Sequence, residues 1–140
     1  MHLRLIAVGR LREPYMIAAA DDFRARLRSY HRIEEIEVRS DDAILKHVKA
    51  ADEVWLLDRT GKQLSSEGLA QKLDAMQTHG RSSLTLIVGG ADGVPQDVLA
   101  RADFSWSLSE LTFLHEWARI IVLEQLYRAA KIARNEPYHH

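Results

Sequence analysis

At 140 residues, with 46% hydrophobic and 28% charged residues, the chain is long enough to bury one core, too short for two, and far from the composition of disordered segments. It contains no cysteine, which excludes disulfides, thiolate metal sites and cysteine nucleophiles, and no apolar run approaches the roughly 18 residues that a membrane span needs. The net charge of -1 marks no nucleic-acid binder globally. Locally, residues 1–32 carry seven Arg against Glu13, Asp21 and Asp22, and residues 33–58 carry eight carboxylates against Arg39, Lys46 and Lys49. Solvated faces of opposite sign and an RNA-binding face explain that pattern equally well. The expectation is a single domain over 1–140, unexported and cytoplasmic, with no membrane contact and no metal.

In chain order, an apolar run at 3–8 predicts a first strand, since Arg4 spoils it as a signal peptide. Helical spacing follows at 14–30. Alternation around Ile36 and Val38 predicts a weaker strand at 33–39, and a helix is expected at 41–51 behind Ser40 as N-cap. Strands are predicted at 53–58 and 83–89, flanking a helix at 65–78 capped by Ser65, and Pro95 suits the first turn of a helix over 95–101. A strand at 104–108 leads into the longest helix, 115–134, where Ile120, Leu123, Tyr127 and Ala130 recur at helical spacing. Ile120-Ile121-Val122-Leu123 leaves that helix apolar on most sides, so either the sheet or a second copy of the chain must cover it. Strands alternating with helices predict an α/β fold with a mainly parallel sheet of about five strands.

Three segments could carry chemistry. Val88-Gly89-Gly90-Ala91-Asp92-Gly93 follows a strand and precedes a helix, where glycines let backbone amides approach a ligand. It is neither a dinucleotide fingerprint nor a P-loop, and a tight turn without a ligand accounts for it as well. Trp106-Ser107-Leu108-Ser109-Glu110-Leu111-Thr112-Phe113-Leu114-His115 brings hydroxyls to the start of the long helix, where Ser109 or Thr112 could cap it or the backbone could bind an adenine or a ribose. The tail, Arg134-Asn135-Glu136-Pro137-Tyr138-His139-His140, ends any helix at Pro137 and needs a docking site to be functional.

The order and wording of these segments resemble one family. Ile87-Val88-Gly89-Gly90-Ala91-Asp92-Gly93, Trp106-Ser107-Leu108-Ser109 with Leu111-Thr112, His115 and Arg119, Glu124-Gln125-Leu126-Tyr127-Arg128-Ala129, and the closing Pro137-Tyr138-His139 are similar to the RlmH family of SPOUT-class RNA methyltransferases. Ala7-Val8-Gly9, Leu57-Asp58 and Gly61-Lys62 extend the likeness over essentially the whole chain. The resemblance implies a SPOUT-type α/β fold with a C-terminal trefoil knot, a homodimer with its active site at the subunit interface, and S-adenosyl-L-methionine as cofactor. The implied reaction is methylation of the N3 of a pseudouridine in 23S rRNA within the assembled ribosome. By similarity the cofactor lies against Leu57, Gly89, Gly90 and the segment Ser109, Glu110, Leu111, Thr112, Phe113 and Leu114.

His139 is the candidate base for the N3 proton, because imidazole ordinarily titrates near pH 6.5. Tyr138 is expected to stack on or hydrogen-bond the target base, and Arg128, Arg134 and His140 are expected to meet RNA. The chain departs from the family pattern at Leu114, where proline is common, and at His140, where Arg or Lys is common. The region between the first and third strands is also short. Two other readings compete: a non-catalytic ribosome-binding homologue, and a generic α/β nucleotide-binding or phosphate-binding domain using Gly89, Gly90 and Gly93. Because the charge is near neutral, activity on naked RNA is expected to be poor.

Overall fold

The computed structural model describes all residues 1–140. Five strands, β1 (His2–Val8), β2 (Arg32–Val38), β3 (Glu53–Gln63), β4 (Ser83–Val88) and β5 (Phe104–Ser107), form one sheet in the order β2-β1-β4-β3-β5. Every pairing is parallel, so all five carboxyl ends lie along one edge.

The helices are α1 (Pro14–Leu27), α2 (Ser66–Thr78), α3 (Gln96–Arg101) and α4 (His115–Ala133). Parallel strands need covering on both faces, and the alternation along β1 divides its side chains accordingly. Leu3, Leu5 and Ala7 join Trp55, Leu84, Leu86, Val88 and Trp106 beneath α1, α2 and α4. Ile6 joins Val54, Leu56 and Ile87 on the other face, covered by Val98 of α3 and by Ile44. Helix α4 buries Ile120, Val122, Leu123, Leu126, Tyr127, Ala129 and Ala130 by packing on α1, α2 and the sheet. Of the two ways to cover this helix, the fold within one chain supplies most of the cover.

The helix expected at 41–51 is replaced by two single 3-10 turns, Asp41–Ala43 and Leu45–His47. The cause is Asp52, which is 5% exposed. Its carboxylate accepts the backbone N–H of Lys49 at 2.9 Å, closing a turn, and the Arg4 guanidinium at 3.1 Å, with Ser83 and Thr85 hydroxyls at 3.3 Å. Holding Asp52 there takes the chain straight into β3. Helix α1 stops at Leu27, three residues short of the expected end, where the N–H groups of Tyr30 and His31 both turn back onto the Leu27 carbonyl.

Strand β3 runs past the expected 58 because it bulges between Leu57 and Lys62 and then rejoins β5. Gly61 makes that possible, since a Cβ there would stand 2.5 Å from the Ser105 carbonyl oxygen. Ser65 caps α2 by accepting the Gly68 N–H at 2.9 Å, a contact worth about 1 kcal/mol. Pro95 is the N-cap of α3, one residue ahead of the position expected.

Candidate active site at the carboxyl ends of the strands

The carboxyl ends of β3, β4 and β5 open into a cleft of about 700 Å³, where open α/β sheets place their ligands. Three loops build it. Leu57 and the bulge residues Asp58 and Arg59 come from β3, Gly89 to Val94 follow β4, and Leu108, Ser109 and Leu111 to Leu114 come from the loop between β5 and α4, whose His115 and Ala118 close the wall.

The loop after β4 turns back on itself through a bridge between Gly90 and Gly93. Gly93 sits at φ 85°, a conformation costly for any residue with a Cβ. A Cβ on Gly89 would meet the Val94 side chain at 2.7 Å, whereas one on Gly90 would meet nothing closer than Val8 at 3.5 Å. Gly89 is therefore demanded by the turn, and Gly90 leaves room at the cleft.

The hydroxyls of the β5–α4 loop do not cap the long helix. Its N-cap is Leu114, without a side-chain bond. The Ser109 hydroxyl accepts the Leu111 N–H at 3.0 Å, and the Ser107 hydroxyl donates to the Ser109 carbonyl at 3.0 Å. These two bonds shape the loop locally, as serine does in turns, and push Leu111, Phe113 and Leu114 outward. Leu111 is 70% and Leu114 63% exposed.

Of the expected cofactor residues, Leu57, Gly89, Gly90, Ser109, Leu111, Thr112, Phe113 and Leu114 all line the cleft, and Glu110 does not. Asp92 and Trp106, which lie inside two of the candidate segments without an assigned role, line the cleft too, as do Asp58 and Arg59, which the sequence did not single out as site residues. Asp58 and Arg59 were within reach of the rule that loops after strand ends line the site.

The tail lies elsewhere. Tyr138, His139, His140, Arg128 and Arg134 are absent from the cleft wall, and Arg128 stands 13 residues after His115, about 20 Å along the axis of α4. After Asn135, at φ 54°, the chain folds back on its own helix. The Tyr138 hydroxyl donates to Glu124 at 2.9 Å, its ring stands edge-on to Tyr127, and the Arg128 guanidinium lies over it at 4.8 Å. Burial first, then the bond to Glu124, raises the Tyr138 phenol above its ordinary pKa, so it serves as a donor and a flat surface rather than as a base.

Arg128 Nη1 donates to His139 Nδ1 at 3.0 Å, which leaves the proton on Nε2 to be donated to Glu67 at 2.6 Å. Glu67 is held below the usual carboxylate range by its own backbone N–H and then by His139. Arg134 stacks over Tyr30 at 4.7 Å. Arg119, 2% exposed, ties α4 to β2 by donating to Glu35 at 2.6 Å, and it pairs with Glu37 at 2.9 Å.

The parallel five-stranded sheet flanked by helices is a fold this chain shares with solved proteins described as methylases or methyltransferases. The probable methylase family protein from Haemophilus influenzae superposes with a TM-score of 0.59 at 11% identity, covering 99% of this chain and 70% of that one. The SpoU methyltransferase AviRb from Streptomyces viridochromogenes, solved with AdoMet, gives 0.54 at 12% identity, over 91% of this chain and 57% of that one. The putative methyltransferase Lpg2936 from Legionella pneumophila, solved with SAM, gives 0.52 at 11%, over 92% and 66%. These likenesses concern the fold.

A family model described as predicted SPOUT methyltransferase matches residues 1–139, and the chain belongs to that family. Within it, the chain is 37% identical to ribosomal RNA large subunit methyltransferase H of Acetivibrio thermocellus and 38% identical to the protein of that name from Halothermothrix orenii, in each case over 158 aligned positions and 99% of both chains. An alignment longer than this chain means that both relatives carry residues it lacks.

Proposed function

We propose that this protein is an S-adenosylmethionine-dependent methyltransferase of large-subunit ribosomal RNA that methylates N3 of a pseudouridine in 23S rRNA on the assembled ribosome. The observation that carries the reading is the cleft at the ends of β3, β4 and β5, in a chain alike over its full length to two ribosomal RNA large subunit methyltransferases H. The cleft fits the cofactor chemically. Leu57, Leu111 and Phe113 offer apolar walls to a flat base, Gly90 leaves room beside its backbone, and the carboxylates of Asp58 and Asp92 suit a cationic sulfonium and ammonium. No helix is long and apolar enough to cross a membrane.

When bound, the cofactor supplies an already activated methyl group, which leaves positioning and proton removal to the protein. His139 accepts the N3 proton in this reading. In the docked tail its Nδ1 lone pair is taken by Arg128, so Arg128 must turn to an RNA phosphate first. Glu67, paired with Nε2, then stabilises the imidazolium that forms. Tyr138 offers its ring to the target base, while Arg134 and His140 face the backbone.

The tail does not reach its own cleft, so the reading requires a homodimer in which each tail serves the partner's cleft. Exposed Tyr15, Ile17, Trp117 and Leu114 supply an apolar surface for that second copy. The trefoil knot belongs to the same reading, with the stretch from β5 to the C-terminus threaded through the preceding loops.

The test is methyl transfer from labelled S-adenosylmethionine to intact ribosomes that carry or lack the large-subunit pseudouridines, with mass mapping of the product. Label on a pseudouridine N3 is expected. Cofactor binding without any label would leave the non-catalytic ribosome-binding reading in its place.

A further inference from the structure

The opposite edge of the sheet carries a second cavity. It is an open basin of about 900 Å³ at the amino ends of β1 and β2 and just before β4, and its lining includes His2, Arg28, His31, Arg32 and Arg81. No Asp or Glu lines it, although the chain as a whole has 20 acidic residues against 19 Lys and Arg. The sheet turns a segregated positive field outward there.

Each cation has a defined condition. Arg81 leans on Glu53 at 3.8 Å, and His2 on Glu34 at 3.1 Å. Arg28 and Arg32 are exposed and form neither an ion pair nor a side-chain hydrogen bond. A third carboxylate beside the basin, Glu136, accepts the Tyr30 hydroxyl at 2.9 Å and is neutralised by Lys131 at 3.1 Å. Arg134, stacked on Tyr30, adds a further positive charge close to His31. His31 Nδ1 is buried with no partner, an arrangement that native structures rarely leave unsatisfied.

From this geometry we infer a phosphate-binding site between Arg28, Arg32 and His31, occupied in the working complex by the RNA backbone of the ribosomal substrate. A phosphate seated there would accept from both guanidiniums and, once the His31 ring turns its enclosed Nδ1 toward the basin, from a proton on that nitrogen, supplying the partner it lacks. A contact to phosphate carries no base information, so the site adds affinity without sequence preference. It lies the length of a seven-residue strand, about 20 Å, from the cleft, and so grips RNA well away from the nucleotide to be methylated. The inference rests on ribosomal RNA being the substrate, and its test is therefore a binding measurement that needs no turnover.

The experiment compares the full-length protein with Arg28→Ala, Arg32→Ala and the double variant. It measures equilibrium binding to 70S ribosomes from 50 to 200 mM salt, alongside S-adenosylmethionine binding and inorganic phosphate titrated against the His31 imidazole resonances. The slope of log affinity against log salt is expected to fall by about 1 for each arginine removed. Ribosome affinity should drop several-fold per arginine, with cofactor affinity unchanged and the phosphate-induced shifts at His31 abolished. An unaltered salt slope in the double variant overturns the RNA assignment even if free phosphate still moves His31, and a wild-type protein with no shift at His31 overturns the site itself. Ribosomes that are bound but never methylated would count against the proposed reaction while leaving this inference standing.

Discussion

The two ends of helix α4 present different problems. Its first turn is one wall of a cleft assembled within a single chain from three loops at the ends of neighbouring strands. Its last half carries Arg128 and leads through Arg134 into the folded-back tail, where Tyr138 is held by Glu124 and His139 by Arg128 and Glu67, far from that cleft. A cofactor site can therefore be complete in one protomer while the residues proposed to act on RNA wait on a second. The sharpest experiments ask whether that division is real.

The largest effect is expected from the tail. His139→Ala should lower kcat by about 10² to 10⁴, the usual worth of a positioned base, with S-adenosylmethionine affinity unchanged in a calorimetric titration. Gly89→Val, which drives a Cβ toward Val94, should abolish cofactor binding and leave ribosome binding intact. Mixing the two inactive proteins tests the geometry directly. If tails serve the partner's cleft, mixed dimers regain one working site and up to about a quarter of the wild-type rate. If each tail serves its own cleft, mixing restores nothing, and the dimer argument fails.

Next comes the pin that holds α4 against the sheet. Arg119 is nearly fully buried between Glu35 and Glu37, and Arg24 also reaches Glu35. Arg119→Met should cost about 3 to 5 kcal/mol in urea unfolding, because it strands buried carboxylate charge. A loss under 1 kcal/mol would mean that Arg24 alone neutralises Glu35.

Two groups at the amino edge of the sheet, just ahead of β2 and β3, should also differ in their response to acid. Burial first, then the nearby positive charges, lowers the His31 pKa from 6.5 to about 4. The unfolded chain takes up that proton near pH 6.5 and the folded chain only near 4, so the group's contribution is fully present above pH 6.5 and is lost as pH falls toward 4. Unfolding free energies measured at pH 7 and pH 4.5 should differ less in His31→Gln than in the wild type. Equal differences would remove His31 as the titrating group. Asp52 acts in another window. Burial raises its pKa, but the Lys49 N–H, Arg4, Ser83 and Thr85 together hold it below its ordinary value, so its contribution is lost only below about pH 4.

The same contrast explains what could be read from sequence. Strands β1, β3 and β4 and helix α4 were legible because burial on both faces writes long apolar runs, and the glycine loop was legible because a turn at a strand end restricts the backbone. The 41–51 segment misled because Ile44, Leu45 and Val48 look helical, while the deciding contact, Asp52 to Arg4, Ser83 and Thr85, joins residues more than 30 positions apart. The serines of the β5–α4 loop misled for the opposite reason. A hydroxyl near a helix start is ambiguous between capping the helix and folding the loop, and here it folds the loop. The basic basin was invisible as a site because its arginines come from a helix end, a strand start and a loop. Only the surplus of Arg in the first 32 residues hinted at it, and that hint did not distinguish a site from a solvated face.

The smallest expected effect bears on the departure at the cleft itself. Leu114 occupies the N-cap of α4 at φ -56°, ψ 138°, within the range a proline ring imposes. Its backbone N–H donates no hydrogen bond, and its side chain is 63% exposed, so a proline would remove neither a bond nor a buried contact. Leu114→Pro should therefore stabilise the protein by about 0.4 to 1 kcal/mol by restricting the unfolded chain. It should also tighten cofactor binding slightly, by holding the 109–114 loop in its bound shape before the ligand arrives. Destabilisation by more than 1 kcal/mol would show that the loop needs freedom at this position. In that case leucine at the mouth of the cleft would be a requirement of this chain's geometry and not a neutral departure from the family.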